Sequence, residues 1–199
     1  MIPADRFIVQ KHDDEAAWLG RRRIGVTATA VADVAGRKDR AAAIQSWLFP
    51  EPFDGNPYTE FGNEQEPVMM RSAHHLHGIL PSDWLIAGEN PLHLATPDGL
   101  SLDHTRIAEC KTTGDPWDLA LEKQTGVPIR YRRQVQWQLH VTGATECLFV
   151  WQLRVPDGGW FRPAWFTPRT IWIPRDDAMI TELVSVADDM LTALGRSAA

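Results

Sequence analysis

Two charged residues, Glu109 and Lys111, interrupt the apolar run Ile107-Ala108-Glu109-Cys110-Lys111, shortly after an aspartate framed by turn formers in Pro97-Asp98-Gly99. Charges inside an apolar strand are costly unless they serve a purpose there, so this stretch limits what the chain can fold into. The polar middle of the segment from Leu100 to Ile107 reads as a turn between two strands. The period of two along the second strand then puts Glu109 and Lys111 on one face and Cys110 on the other. With Asp98 on the same side of the hairpin, two hard oxygen ligands converge on a divalent ion with an ammonium beside them. That donor set is the chemistry of phosphodiester hydrolysis. The competing reading of the same residues is a structural ion pair between Glu109 and Lys111.

The chain has 199 residues, which accommodates one domain with a substantial core. A hydrophobic fraction of 44% is ordinary for a soluble protein, and no apolar run approaches the roughly 18 residues of a membrane span. The start, Met1 to Phe7, lacks a basic segment followed by an apolar stretch, so no secretory signal is expected and a cytoplasmic location follows by default. The two cysteines, Cys110 and Cys147, are too few for a disulfide framework and read as small buried hydrophobes. A net charge of −6 argues against a protein that coats nucleic acid diffusely. Any contact with DNA must be local.

Helix signals recur along the chain. Asp13-Asp14-Glu15 opens a short helix, Thr27 caps a segment through Ala35 closed by Gly36, and Asp39 starts a helix through Leu48. The stretch from Glu51 to Pro57 reads as a loop, and a helix from Thr59 to His77 carries Glu66 and ends at Gly78. Ser82–Gly88, Pro91–Thr96 and Arg106–Thr112 read as strands of one central sheet. Asp115-Pro116 signals a helix, Pro128 opens another that runs to Val141, Thr145–Val155 and Trp160–Ile173 read as strands, and Arg175–Leu194 is a final amphipathic helix. The expected fold is α/β, a central mixed sheet flanked by helices. The expected organisation is a single domain over residues 1–199, with N-terminal helices over 13–48 and a core over 59–194.

Other candidate residues carry weaker signals. Arg21, Arg22 and Arg23 form an N-terminal cluster, Arg37, Lys38 and Arg40 a second, and Arg130, Arg132 and Arg133 a third. Gln134 and Gln138 share a helix face at four-residue spacing, and Gln136 faces elsewhere. His74, His75 and His77 read as a solvated helix end, because neighbouring positions do not share a face and no acid completes a zinc site nearby. The nine tryptophans have no periodic spacing and read as core or subunit-interface residues. No phosphate-binding loop of the P-loop type is present.

Five blocks in order resemble the phage-type exonucleases typified by phage lambda exonuclease and the YqaJ-like viral recombinases, within the PD-(D/E)xK nuclease superfamily. They are Trp18 to Thr29, Gly62 to Pro67, Ala95 to Leu100, Glu109 to Lys111 and Tyr131 to Gln138. The resemblance implies an exonuclease that degrades one strand of linear duplex DNA from 5′ to 3′, uses Mg2+ (two ions, with Mn2+ as a substitute), and works beside a single-strand annealing protein. It implies Asp98, Glu109 and the Cys110 carbonyl as metal ligands, Glu66 as a helix acid for a second metal or its water, Lys111 as the catalytic lysine and Gln134 as an orienting residue. Lys111 would help activate water if burial and a nearby metal lower its pKa. The resemblance further implies Arg22 and Thr29 as a pocket for the 5′-phosphate, with Arg21 and Arg23 open as alternatives. Threonine at position 29 departs mildly from the family's usual serine. Arg37, Lys38, Tyr58 and Arg133 are the remaining DNA-binding candidates, Tyr58 as a ring for an unpaired base or as a packed loop aromatic. A trimeric ring around DNA is also implied. The alternatives are an endonuclease of the same superfamily and a non-catalytic DNA-end-binding scaffold.

Overall fold

The computed structural model describes residues 1–51, 55–114 and 126–196. After a 3-10 turn at Ala4–Arg6 the elements are β1 (Phe7–Gln10), α1 (Glu15–Arg22), β2 (Val26–Thr27), α2 (Ala28–Ala35), α3 (Arg40–Leu48) and α4 (Pro57–His77). Five strands follow: β3 (Leu80–Pro81), β4 (Trp84–Ala87), β5 (His93–Ala95), β6 (Gly99–Leu100) and β7 (Arg106–Thr113). Then come α5 (Ile129–Thr142), β8 (Glu146–Asp157), β9 (Trp160–Pro163), β10 (Arg169–Pro174) and α6 (Asp177–Ala193). The helix expected after Asp115-Pro116 falls outside the described residues.

The helices start where side chains satisfy their first free amides. Asp14 accepts from the Ala17 amide at 2.8 Å, Asp39 from Ala42 at 3.0 Å and Asp176 from Met179 at 3.0 Å. Asn56 accepts from the Thr59 amide at 2.9 Å, so α4 begins at Pro57 rather than Thr59, with the proline in its first turn where no N–H is needed. Thr27 stands at the N-cap of α2, but its hydroxyl makes no capping bond. Gly78 and Gly143 close α4 and α5 in the left-handed conformation, as glycine allows.

The strands form two sheets, which corrects the expectation of one. A four-stranded sheet has the order β1-β4-β5-β2, and a larger mixed sheet runs β10-β8-β7-β6-β3 with β9 pairing β8. The expected strands over 82–88 and 91–96 therefore belong to the first sheet and that over 106–112 to the second. The expected strand over 160–173 divides into β9 and β10, each antiparallel to a different part of β8. At the centre of the larger sheet β7 and β8 run parallel, from Arg106↔Glu146 to Thr113↔Leu153.

Both faces of this central pair are covered. Ala108, Cys110, Leu148 and Val150 pack on Met69, Met70 and Ala73 of α4. Ile107, Cys147 and Phe149, on the other face, join the main core with Val135 and Leu139 of α5, Val31 and Val34 of α2 and Leu183 of α6. Residues buried on alternate faces explain why β7 and β8 read as nearly continuous apolar runs. Both cysteines are buried, as expected.

The β6–β7 hairpin lies tightly on α4. A Cβ at Gly99 would press on the end of the Met70 side chain and stand 2.7 Å from Ile79 Cγ2 and 3.0 Å from the Leu80 carbonyl oxygen, so its neighbours would have to shift. Gly99→Ala should therefore destabilise the protein by about 1–3 kcal/mol through overpacking. Thermal unfolding should register this as a fall of roughly 2–4 °C per kcal/mol.

Candidate active site

The site lies where β6 stops and β7 continues. β6 pairs with β7 only at Gly99↔Ala108 and Leu100↔Ile107, and the Asp98 amide adds a bond to the Ala108 carbonyl at 3.0 Å. Beyond that point β7 is hydrogen-bonded on one side to β8, and among the described residues no strand pairs with its other edge. Asp98 turns along this edge, where its Oδ2 accepts from the Cys110 amide at 2.7 Å. The N–H and C=O of a strand residue leave on the same side, so the Cys110 carbonyl also faces the open edge.

Glu109 is 2% exposed and is enclosed by donors. Gln134 Nε2 donates to its Oε1 at 2.5 Å, Gln138 Nε2 to its Oε2 at 2.7 Å, and Lys111 Nζ donates to Oε1 as well. The glutamines stand one turn apart on α5, so their shared face is the face that meets β7. Gln136 turns the other way, donating to the Pro174 carbonyl at 2.8 Å and accepting from the Asp176 amide at 2.8 Å. It ties α5 to the start of α6. Gln138 was not assigned a site role from the sequence, and its only signal there was its spacing from Gln134.

Glu66 approaches from α4. Gly62, one turn earlier, faces β7, where a Cβ would meet Thr112 Oγ1 at an ordinary contact distance of 3.6 Å. Protein atoms crowded around Glu66, and then the negative charge of Glu109, raise its carboxyl pKa against the opposing pull of Lys111. Asp98 keeps a partly accessible surface, yet the packing around it, and then Glu109 and Glu66, push its pKa well up. Lys111 moves in the direction opposite to the one expected. Burial pulls its pKa down, but Glu109 and Asp98 outweigh it and raise the value, so the ammonium form persists among these groups.

Among the described residues, three carboxylates gather around the Lys111 ammonium and leave an excess of negative charge. Hard oxygen donors with such an excess fit a divalent cation in both charge and ligand type. Among the described residues no set of three acidic, histidine or cysteine side chains is drawn up as a finished metal centre. The oxygens of Glu109 are engaged by two amides and the ammonium, and Oδ2 of Asp98 by the Cys110 amide.

Residues 17–145 match the family model of the YqaJ-like viral recombinase domain. The chain belongs to the YqaJ-like viral recombinase family. Among solved structures it is similar to the alkaline exonuclease LHK-Exo from Laribacter hongkongensis, at 29% identity and a TM-score of 0.66, over 90% of this chain and 92% of that one. The LHK-Exo complex with dAMP gives 29% identity and a TM-score of 0.67 over the same shares. A phage-related exonuclease from Haemophilus somnus shares the fold at 19% identity, with a TM-score of 0.64 over 85% of this chain and 94% of that one. No curated protein matches. The α/β expectation stands, with two sheets in place of one: the architecture is the mixed sheets with flanking helices of the PD-(D/E)xK nucleases.

In this YqaJ-like domain the outlying candidates fall into distinct places. Arg22 is half-buried, with Nη1 donating to Thr96 Oγ1 at 3.3 Å and its guanidinium 4.3 Å from the Trp18 ring centre. Burial lowers its pKa, and among the described residues no carboxylate pairs with it. Arg21 and Arg23 are exposed, as is Thr29 in the first turn of α2. Arg37 and Lys38 are exposed after α2. The arginines of α5 diverge rather than form a stripe. Arg130 pairs with Asp33 at 2.7 Å, Arg132 lies 3.8 Å from Asp176, and Arg133 lies against Gly36, on the side of Arg37 and Lys38. Tyr58 belongs to the first turn of α4 rather than to a loop, is 53% exposed, and stacks with Arg154 and Phe161. His74 and His75 are exposed, and His77 packs edge-on against Trp172.

The raised pKa of Asp98 yields a stability prediction whose sign is opposite to that of most acids. Between its unfolded and its raised folded pKa the native state binds more protons, so stability falls as pH rises through that window. At neutral pH, in chelator, the charged side chain is therefore a net burden. Asp98→Asn should melt at a higher temperature than the parent at pH 7, and the gain should vanish below the unfolded pKa of about 4.

Proposed function

We propose that this protein is a Mg2+-dependent exonuclease, a single nuclease domain that hydrolyses linear duplex DNA from the 5′ end, releases mononucleotides and leaves a 3′ single strand. The observation that carries this reading is the gathering of Asp98, Glu109 and Lys111 at an open strand edge, with Glu66 beside them, in a chain of this family. The related LHK-Exo was crystallised with dAMP, a mononucleotide of the kind expected as product.

Asp98, Glu109 and the Cys110 carbonyl would hold one Mg2+, and Glu66 a second or its water. Mn2+ has the same preference for oxygen and would substitute. When bound, the cations supply charge neutralisation at the phosphoryl oxygens and make water a better nucleophile. Water adds at phosphorus, the bond to the leaving 3′ oxygen breaks, and that oxygen departs with a proton. Gln134 and Gln138 hold the Glu109 carboxylate in one orientation, which fixes the ligand before substrate arrives. The Lys111 ammonium sits beside the same carboxylate, placed to stabilise charge on the phosphate under attack and to exchange a proton with water there.

Arg22 is the best placed of the three N-terminal arginines to receive a terminal 5′-phosphate. It lacks an acidic partner among the described residues, and its contact Thr96 stands just before Pro97 and Asp98. Thr29 and the first amides of α2 add donors for the same anion. Arg37, Lys38 and Arg133 lie together near the end of α2 and would follow the duplex backbone, and Tyr58 would meet an unpaired base. The reading extends to a trimer that encircles DNA, an annealing protein that takes the exposed 3′ strand, and the cytoplasm of a bacterial host as the setting. No helix among the described residues is long and apolar enough to cross a membrane.

The test compares linear 5′-phosphorylated duplex, its 5′-hydroxyl counterpart and covalently closed circular DNA, with magnesium or chelator. Mononucleotides should appear from the phosphorylated linear duplex, and chelator should abolish them. Lys111→Ala should lower the rate by about 10²–10⁴-fold, the usual contribution of a group handling protons and charge at the reacting centre. Cutting of the circle would instead assign an endonuclease, and binding without cleavage of any substrate a scaffold. Arg22→Ala should erase the preference for the 5′-phosphate while leaving metal dependence intact.

A further inference from the structure

The hairpin of β8 and β9 carries polar groups that find no hydrogen-bond partner among the described residues. On the face of β8 that meets α4, Gln152 is 1% exposed and neither of its amide atoms has a hydrogen-bond partner. Arg154, the next residue on that face, makes no hydrogen bond or ion pair among the described residues. Its guanidinium lies 4.3 Å from the Tyr58 ring centre and 5.7 Å from that of Phe161, over Gly114 at the end of β7. A half-buried arginine with five donors normally finds an acceptor. Among the described residues it finds only rings.

Those rings are held in place and partly open. Phe161 packs on the buried Phe61 at 5.8 Å, and Trp160 stands beside it, with its indole N–H on Glu64 at 3.3 Å. Of the described acids on these elements, Glu64 is engaged by Trp160 and Asp157 by Arg162 at 3.8 Å. The cluster also adjoins the candidate active site. Tyr58, Gly62 and Glu66 recur at four-residue spacing on α4, which places Tyr58 about 12 Å along the helix from Glu66. Gly114 lies about 10 Å along the strand from Lys111.

Fixed aromatic faces beside a cation with free donors are the recognition chemistry of unpaired nucleotides: bases stack, and the guanidinium takes a phosphate. A duplex keeps its base faces covered and offers nothing to the rings. The geometry points to Arg154, with Phe161 and Tyr58, as a site that grips single-stranded DNA next to the active site, namely the strand left unpaired as its complement is removed. This assignment rests on the nuclease reading for the identity of the polymer.

The test uses the full chain in chelator, with fluorescence anisotropy of a labelled oligothymidylate and of a blunt duplex across a salt series. Arg154→Met keeps the apolar stem and removes the donors, Arg154→Lys keeps the charge, Phe161→Ala removes a ring, and melting curves check that each folds. Arg154→Met should weaken oligothymidylate binding at least fivefold and reduce its salt slope by about 0.7. Phe161→Ala should cost roughly 5- to 100-fold. Arg154→Lys should restore the slope without the full affinity, since an ammonium neither forks nor stacks. Unchanged oligothymidylate binding in folded Arg154→Met, or an equal loss on duplex and single strand, would overturn the assignment. If the parent cleaves no DNA but binds oligothymidylate through Arg154, the nuclease reading falls and the site stands. If it cleaves and Arg154 does not matter to binding, the reverse holds.

Discussion

A carboxylate almost fully withdrawn from water organises this molecule. Glu109 lies in the middle of a core strand, and removing any one of its donors would leave a buried charged or polar group short of a partner, at a cost of about 1–3 kcal/mol or more. To supply Gln134 and Gln138, α5 must present one particular face to β7. That orientation turns Gln136 outward to hold the start of α6. The parallel pairing of β7 with β8, with α5 lying between them in the chain, is thus fixed by polar contacts as well as by the apolar packing around Val135 and Leu139.

The same concentration of charge sets stability against readiness for a cation. Asp98 and Glu66 are held with raised pKa values beside Glu109, and Lys111 opposes the rise at both, with a smaller pull from Lys11 on Glu66. An apolar substitution would relieve the repulsion and remove the chemistry. Natural sites of this sort sit below the stability their fold could reach. The acidic overall balance of −6 agrees with this picture, because the positive groups are placed singly or in small clusters rather than spread over a surface.

What was legible in the sequence was local. Charges in an apolar strand, the period of two, a turn of polar residues and a pair of glutamines at helical spacing all lie within short windows, and they located the hairpin, Glu109, Lys111 and the face of α5. Capping residues such as Asp14 and Asp39 likewise announced helix starts. What was not legible depends on distant partners. β2 is only Val26–Thr27 and exists because β5 lies parallel to it, and β1 is defined by β4. Such short strands have too little pattern to show on their own, so the division into two sheets was missed. The choice of Arg22 over its neighbours rests on a bond to Thr96, far along the chain. The upward Lys111 shift owes most to Glu109, a neighbour the strand period supplies, and then to Asp98, whose approach no spacing rule supplies.

The brevity of β6 has a consequence for anyone who would engineer this protein. Adding rungs to a hairpin is a standard way to make a sheet more robust, and Gly99–Leu100 looks like an obvious place to do it. Extending the ladder back past Asp98 would hand the Cys110 N–H and C=O to a neighbouring strand and zip shut the gap in which the acids meet. The missing rungs are the doorway, and a stiffer version of this fold built by completing them would be a well-made wall.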